Sequence, residues 1–162
     1  MRRGGSSDPP GQKRTQMNIK HGVVLVAFVG LFADAVAAAD LPAAIVTPYL
    51  EVQTALAADN FAGVSAPAKS IEVAVAALGK DGEKLAASAK SLGAAKDIAA
   101  ARTAFGDLST ELLAYAEKTK SGLGPDVKQA YCPMANKPWL QKDKDIKNPY
   151  YGASMLTCGN FK

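Results

Sequence analysis

Histidine is nearly missing from this chain: the single one, His21, stands within the first forty residues. Beyond that point no imidazole can act as base in the usual nucleophile partnerships or serve as a zinc ligand, so an enzyme is not expected. Cysteine is scarce too, with only Cys132 and Cys158. Two cysteines exclude a disulfide-dense scaffold and leave room for one bridge or one two-thiol site. There is no glycine-rich phosphate loop. The longest apolar run, 22–32, has eleven residues, short of the roughly 20 that span a bilayer.

A surplus of one charge is also missing once the amino-terminal part is set aside. Residues 1–16 are polar, and Met17 opens a better start, MNIKHGVVLVAFVGLFADAVAAAD. Lys20 and His21 supply a basic region, 22–32 an apolar one, and Ala37-Ala38-Ala39 a small-residue cleavage site, which together read as a secretory signal peptide. The expected organisation is a leader over 1–39 and one domain over 40–162. Taking the leader's five Lys/Arg and two Asp from totals of 19 and 15 leaves 14 basic and 13 acidic residues. A net charge of +1 gives no nucleic-acid footprint, which needs a clustered basic face. Export to the periplasm or beyond follows from the signal peptide, and no membrane span is expected after its removal.

What the chain does have is alanine-rich helical periodicity. Over 42–58, Ile45, Tyr49, Val52 and Leu56 share one stripe, with Pro42 suited to a helix start. Asp59 or Asn60 can cap the next segment, where Phe61, Val64, Ala68, Ile71, Val75 and Leu78 follow the same spacing until Gly79. Pro67 predicts a kink there, or a helix that begins at it. Leu85, Ala89 and Leu92 suit a short helix over 80–93. The clearest pattern, 94–120, aligns Ile98, Ala101, Phe105, Leu108, Leu112 and Tyr115. These segments predict an all-α fold, an antiparallel bundle of three to four helices. Its alanine-rich core is thin, and an irregular aromatic cap from about residue 125 would supplement it.

That carboxyl-terminal block carries Tyr131, Trp139, Tyr150, Tyr151 and Phe161, together with Pro133, Pro138 and Pro149. It also gathers both cysteines with Met134 and Met155. In an extended Cys132-Pro133-Met134, residues two apart face one side, while Met155 and Cys158 share a face if 153–159 forms a helical turn. Four convergent sulfurs without imidazole would favour Cu(I) or Ag(I), with Cys132, Met134, Met155 and Cys158 as candidate ligands. Equally, Cys132 and Cys158 can form a disulfide closing about 27 residues, worth roughly 3.5 kcal/mol in the chain-entropy model, and then no cofactor is implied. Tyr131, Trp139, Tyr150 and Tyr151 are packing residues or lie beside a ligand. The charged loop KDKDIK lacks the ligand spacing and glycine of a calcium loop.

The blocks Tyr131-Cys132-Pro133-Met134-Ala135, Trp139-Leu140-Gln141, Ile146, Asn148-Pro149-Tyr150-Tyr151-Gly152, Met155 and Cys158-Gly159, with Tyr49-Leu50, Ala55-Leu56-Ala57 and Asp59 upstream, resemble a family. It is a bacterial exported domain of unknown function. The domain occurs alone or appended to periplasmic adaptor subunits of copper/silver-type heavy-metal efflux systems. The resemblance implies a helical fold, a periplasmic location and periplasmic efflux components as partners. The adaptor's own hairpin and barrel domains have no counterpart in these residues. Tyr131-Cys132-Pro133-Met134 also resembles short heavy-metal-binding segments that continue with His, where this chain has Ala135.

Overall fold

The computed structural model describes residues 39–162; the expected signal peptide and its start at Met17 lie outside the described residues. Helix α1 spans Ala43–Ala57, and the Pro42 carbonyl accepts the amides of Ile45 and Val46. Its stripe of Ile45, Tyr49, Val52 and Leu56 is wholly buried. The helix ends where Asp59 turns left-handed, with φ 56°. There the Asn60 amide returns to the Ala55 carbonyl and the Asp59 amide to that of Leu56, the paired bonds that close a helix when its C′ residue reverses hand.

Asn60 then caps a short 3₁₀ turn, Phe61–Gly63, by accepting the Gly63 amide at 3.2 Å. Helix α2, Ser65–Ala76, follows. Pro67 therefore falls in the first turn, where its missing N–H has no intrahelical partner to lose. A second 3₁₀ turn, Gly79–Gly82, leads to α3, Glu83–Gly93. Helix α4, Ile98–Thr119, starts four residues later than its pattern suggested, because Asp97 caps it by accepting the Ala100 amide at 2.8 Å. Each helix packs against the next along the chain.

The remainder corrects the expected all-α class. Strands β1 (Lys128–Cys132), β2 (Lys137–Gln141) and β3 (Asn160–Phe161) form an antiparallel sheet in the order β2-β1-β3, so the fold is mixed α/β. Ala130 faces Trp139 on one side and Phe161 on the other. The strands escaped the sequence pattern for a physical reason. Trp139, Leu140 and Gln141 are all buried, since β2 packs on α4 and α1, and a strand covered on both faces loses the alternation of a half-buried one. Pro138 is tolerated because β2 is an edge strand.

Aromatic rings join the two halves. Tyr49 of α1 lies 4.8 Å from Phe105 of α4, Phe105 lies 6.1 Å from Tyr150, and Tyr150 meets Trp139 edge-on at 5.9 Å. At the amino end, buried Leu41 donates its amide to the Gly122 carbonyl at 2.8 Å and ties the chain entry to the segment after α4.

Candidate functional site

The two cysteines meet at the carboxyl end of β1. Cys132 closes that strand opposite Lys137, and β3 pairs with β1 at Ala130 and Tyr131, which brings the residues just before Asn160 alongside Cys132. Gly159 makes this approach possible. Its φ is 143°, and a Cβ there would press on the Trp139 ring and the Tyr131 carbonyl, so only glycine fits. Both cysteines are thiols, Cys132 fully buried and Cys158 half-buried.

Burial first, then the neighbouring Cys132, push the Cys158 thiol above the ordinary cysteine range. Cys132 Sγ is ringed by donors: the Ala135 amide at 3.4 Å and Asn148 Nδ2 at 3.2 Å. The same Asn148 Nδ2 donates to the Cys158 carbonyl at 2.6 Å, while its Oδ1 accepts the Tyr150 amide at 2.8 Å. One fully buried asparagine thus holds both cysteine segments. Asn148 precedes Pro149 in the Asn-Pro-Tyr-Tyr-Gly block, yet nothing local in that string assigns it this role.

The methionines take different places. After Cys132 the chain turns through 133–136, with Asn136 left-handed at φ 52° and Tyr131 Oη donating to Asn136 Oδ1. An extended Cys-Pro-Met would have aligned the two sulfurs; the turn instead carries Met134 to the hairpin tip, 63% exposed. Met155 ends a 3₁₀ turn, Gly152–Met155, and its carbonyl accepts the Cys158 amide at 3.0 Å. Among the described residues no three of His, Cys, Asp or Glu gather as a metal-ligating cluster.

The aromatic candidates are anchored by packing and hydrogen bonds. Trp139 is fully buried, and its Nε1 donates to Gln141 Oε1 at 2.8 Å. Tyr150 Oη donates to the Pro138 carbonyl, and burial drives its hydroxyl pKa upward. Tyr151 remains partly open and lines a shallow groove of ≈ 360 Å³ with Arg102, Thr103, Lys137 and Ala135. The Lys162 ammonium lies 4.9 Å over the Tyr131 ring. Gln141 organises the charged loop: its Nε2 donates to the carbonyls of Asp143 and Asp145, and its Oε1 accepts the Lys147 amide. With Trp139 as well, every bonding position of that amide is used.

A second constellation lies where α1, α4 and the loop before β3 meet. Arg102 of α4 donates to Asp59 Oδ1 at 2.5 Å, to the Leu56 carbonyl at 3.1 Å and, through Nε, to the Pro149 carbonyl at 3.0 Å. Asp59 Oδ2 accepts the Ala153 amide at 2.9 Å. That amide first, and then Arg102, hold the Asp59 carboxyl below the usual carboxylate range. This clamp fastens the cysteine-bearing block to the helices.

Residues 45–123 match the model of a family described as a protein of unknown function (DUF3347). The matched span runs through the four helices and ends before β1, so the helical part of this mixed α/β domain is similar to that family. No curated protein and no solved structure matches the chain.

Proposed function

We propose that the protein is an exported soft-metal binding module, an accessory to heavy-metal efflux, in which Cys132 and Cys158 take a Cu(I) or Ag(I) ion. One observation carries this reading: the two cysteines, from opposite ends of the carboxyl-terminal block, are brought side by side by β1–β3 pairing and by Asn148, one fully buried and the other half-exposed. Thiolate pairs without imidazole favour soft monovalent ions over zinc. Met155, three residues before Cys158, is a thioether within the same segment, and exposed Met134 is a capture ligand at the hairpin tip. The efflux and periplasmic setting rests on the resemblance of the Cys-Pro-Met-Ala, Trp-Leu-Gln and Asn-Pro-Tyr-Tyr-Gly blocks.

Competition titration of the reduced protein against a chromophoric Cu(I) chelator tests the proposal. Uptake of about one equivalent, lost in Cys132→Ser and in Cys158→Ser, is the expected result. Met155→Leu should weaken binding while preserving the fold, because Leu and Met have similar volume. Uptake that survives loss of both cysteines would sink the reading.

The same juxtaposition favours a second reading, a structural disulfide in an interaction domain that binds no metal. Titration of free thiols in protein isolated without reductant separates the two. Absence of free thiols together with negligible Cu(I) uptake favours the staple.

A further inference from the structure

The two cysteines are held side by side by Asn148 and by β1–β3 pairing but stand in unlike surroundings. Cys132 Sγ has no exposure and faces the Ala135 amide and Asn148 Nδ2. Cys158 is half-buried, follows the 3₁₀ turn that ends at Met155, and precedes Gly159 with its left-handed backbone. An incoming reagent therefore reaches Cys158 first. Charge left on Cys132 would meet two N–H dipoles already aimed at it.

We infer that the pair performs thiol–disulfide exchange with small disulfides and thiols, with Cys158 as the entry sulfur, Cys132 as the resolving sulfur, and Asn148 as the residue that positions Cys132. The inference rests on the dithiol site proposed above and not on its metal. In the oxidising direction, the Cys158 thiolate attacks one sulfur of glutathione disulfide, that S–S bond breaks, and one glutathione leaves as thiolate. The Cys132 thiolate then attacks Cys158 Sγ, the mixed disulfide breaks, and the second glutathione leaves. Two protein thiols are oxidised to one disulfide and one glutathione disulfide is reduced to two thiols, with the two thiol protons passing to solvent or to the leaving thiolates. Reduction by glutathione follows the same path backwards: attack falls on Cys158, and the electron pair of the broken bond departs on Cys132 between the Ala135 and Asn148 donors. The direction of attack follows from access and from the stabilisation of the leaving sulfur.

The test uses the full chain, reduced and metal-free, mixed with glutathione disulfide and quenched with acid for peptide mapping. In the wild type the transient glutathione adduct should sit on Cys158 before the internal disulfide closes. Cys132→Ser should accumulate a stable adduct on Cys158, and Cys158→Ser should react at Cys132 at least about ten-fold more slowly. An adduct found first on Cys132, or equal rates at the two sites, overturns the inference. Mapping of the wild type decides this even if a cysteine variant fails to fold. Asn148→Asp keeps the acceptor for the Tyr150 amide and removes the donor to both Cys132 Sγ and the Cys158 carbonyl. It should slow the closing step more than adduct formation on Cys158, and equal slowing of the two steps, or of neither, would overturn the positioning role. No arm contains metal, so intact exchange without Cu(I) uptake would count against the metal reading alone.

Discussion

Gly152 shows how far a single residue can reach in this chain. Its φ is 54°, and a Cβ there would overlap Asp59 Oδ1 and Arg102 Nη2, the ion pair that holds the carboxyl-terminal block on the helices. Gly152→Ala combines left-handed strain with the loss of that clamp. We expect a destabilisation of about 1 to 3 kcal/mol in urea titration. Asp59 adds a pH signature. Its carboxyl is held low by the Ala153 amide and then by Arg102, so its stabilising effect is fully present above the ordinary aspartate value near 4 and disappears as pH falls through the lower folded value. The stability gap between wild type and Asp59→Asn should therefore be open at pH 6 and narrow towards about pH 2. A gap that stays constant over that range would assign the effect to packing alone.

At the level of elements, β2 is bonded to the helices through one phenol. Tyr49 Oη of α1 accepts the Leu140 amide at 3.1 Å and pairs at 2.6 Å with Ser109 Oγ of α4, whose hydroxyl also donates to the Phe105 carbonyl at 2.8 Å. Since Ser109 spends its proton on Phe105, Tyr49 is the donor to Ser109. Tyr49→Phe keeps the ring contact with Phe105 but leaves a buried Leu140 amide unpaired, a loss of about 1 to 3 kcal/mol. Thermal unfolding should show it, and a change below about 0.5 kcal/mol would mean that water replaces the phenol. Lys137 also pairs with Asp107 of α4 at 2.8 Å, but both side chains are well exposed, so Lys137→Ala should matter much less to β2 docking.

For the whole molecule, the shared core predicts one cooperative unit. Trp139 of β2 is fully buried and reaches Phe105 of α4 through Tyr150, so its fluorescence reports on sheet docking while far-ultraviolet dichroism reports on the helices. The two transitions should coincide in denaturant. If fluorescence changed first, the carboxyl-terminal block would be a separate folding unit. The same packing explains why a thin helical core suffices: Trp139, Leu140 and Tyr150 add large buried surfaces to stripes in which Ala68, Ala89 and Ala101 contribute little volume.

The helices were legible from the residues because their signals are local. Ile45, Tyr49, Val52 and Leu56, or Leu85, Ala89 and Leu92, lie three and four apart, and every one of them is buried. Asp97 and Gly93 mark helix ends within a few residues of the turns they control. The sheet depends on contacts made at longer range. Trp139-Leu140-Gln141 is a strand because Cys132 and Lys137 pair across a turn and because α1 and α4 cover it, neither of which leaves a period-two trace. Residue types alone showed that Cys132 and Cys158 were the pair to watch, and the resemblance of their surroundings pointed to soft metals. That the two cysteine segments lie side by side, that Asn148 binds both, and that Met134 turns outward were decided by β1–β3 pairing and by the turn after Cys132. Hydrophobic periodicity is set by neighbours a few residues apart, whereas a site assembled from 132, 148 and 158 exists only once distant backbone hydrogen bonds have fixed the register.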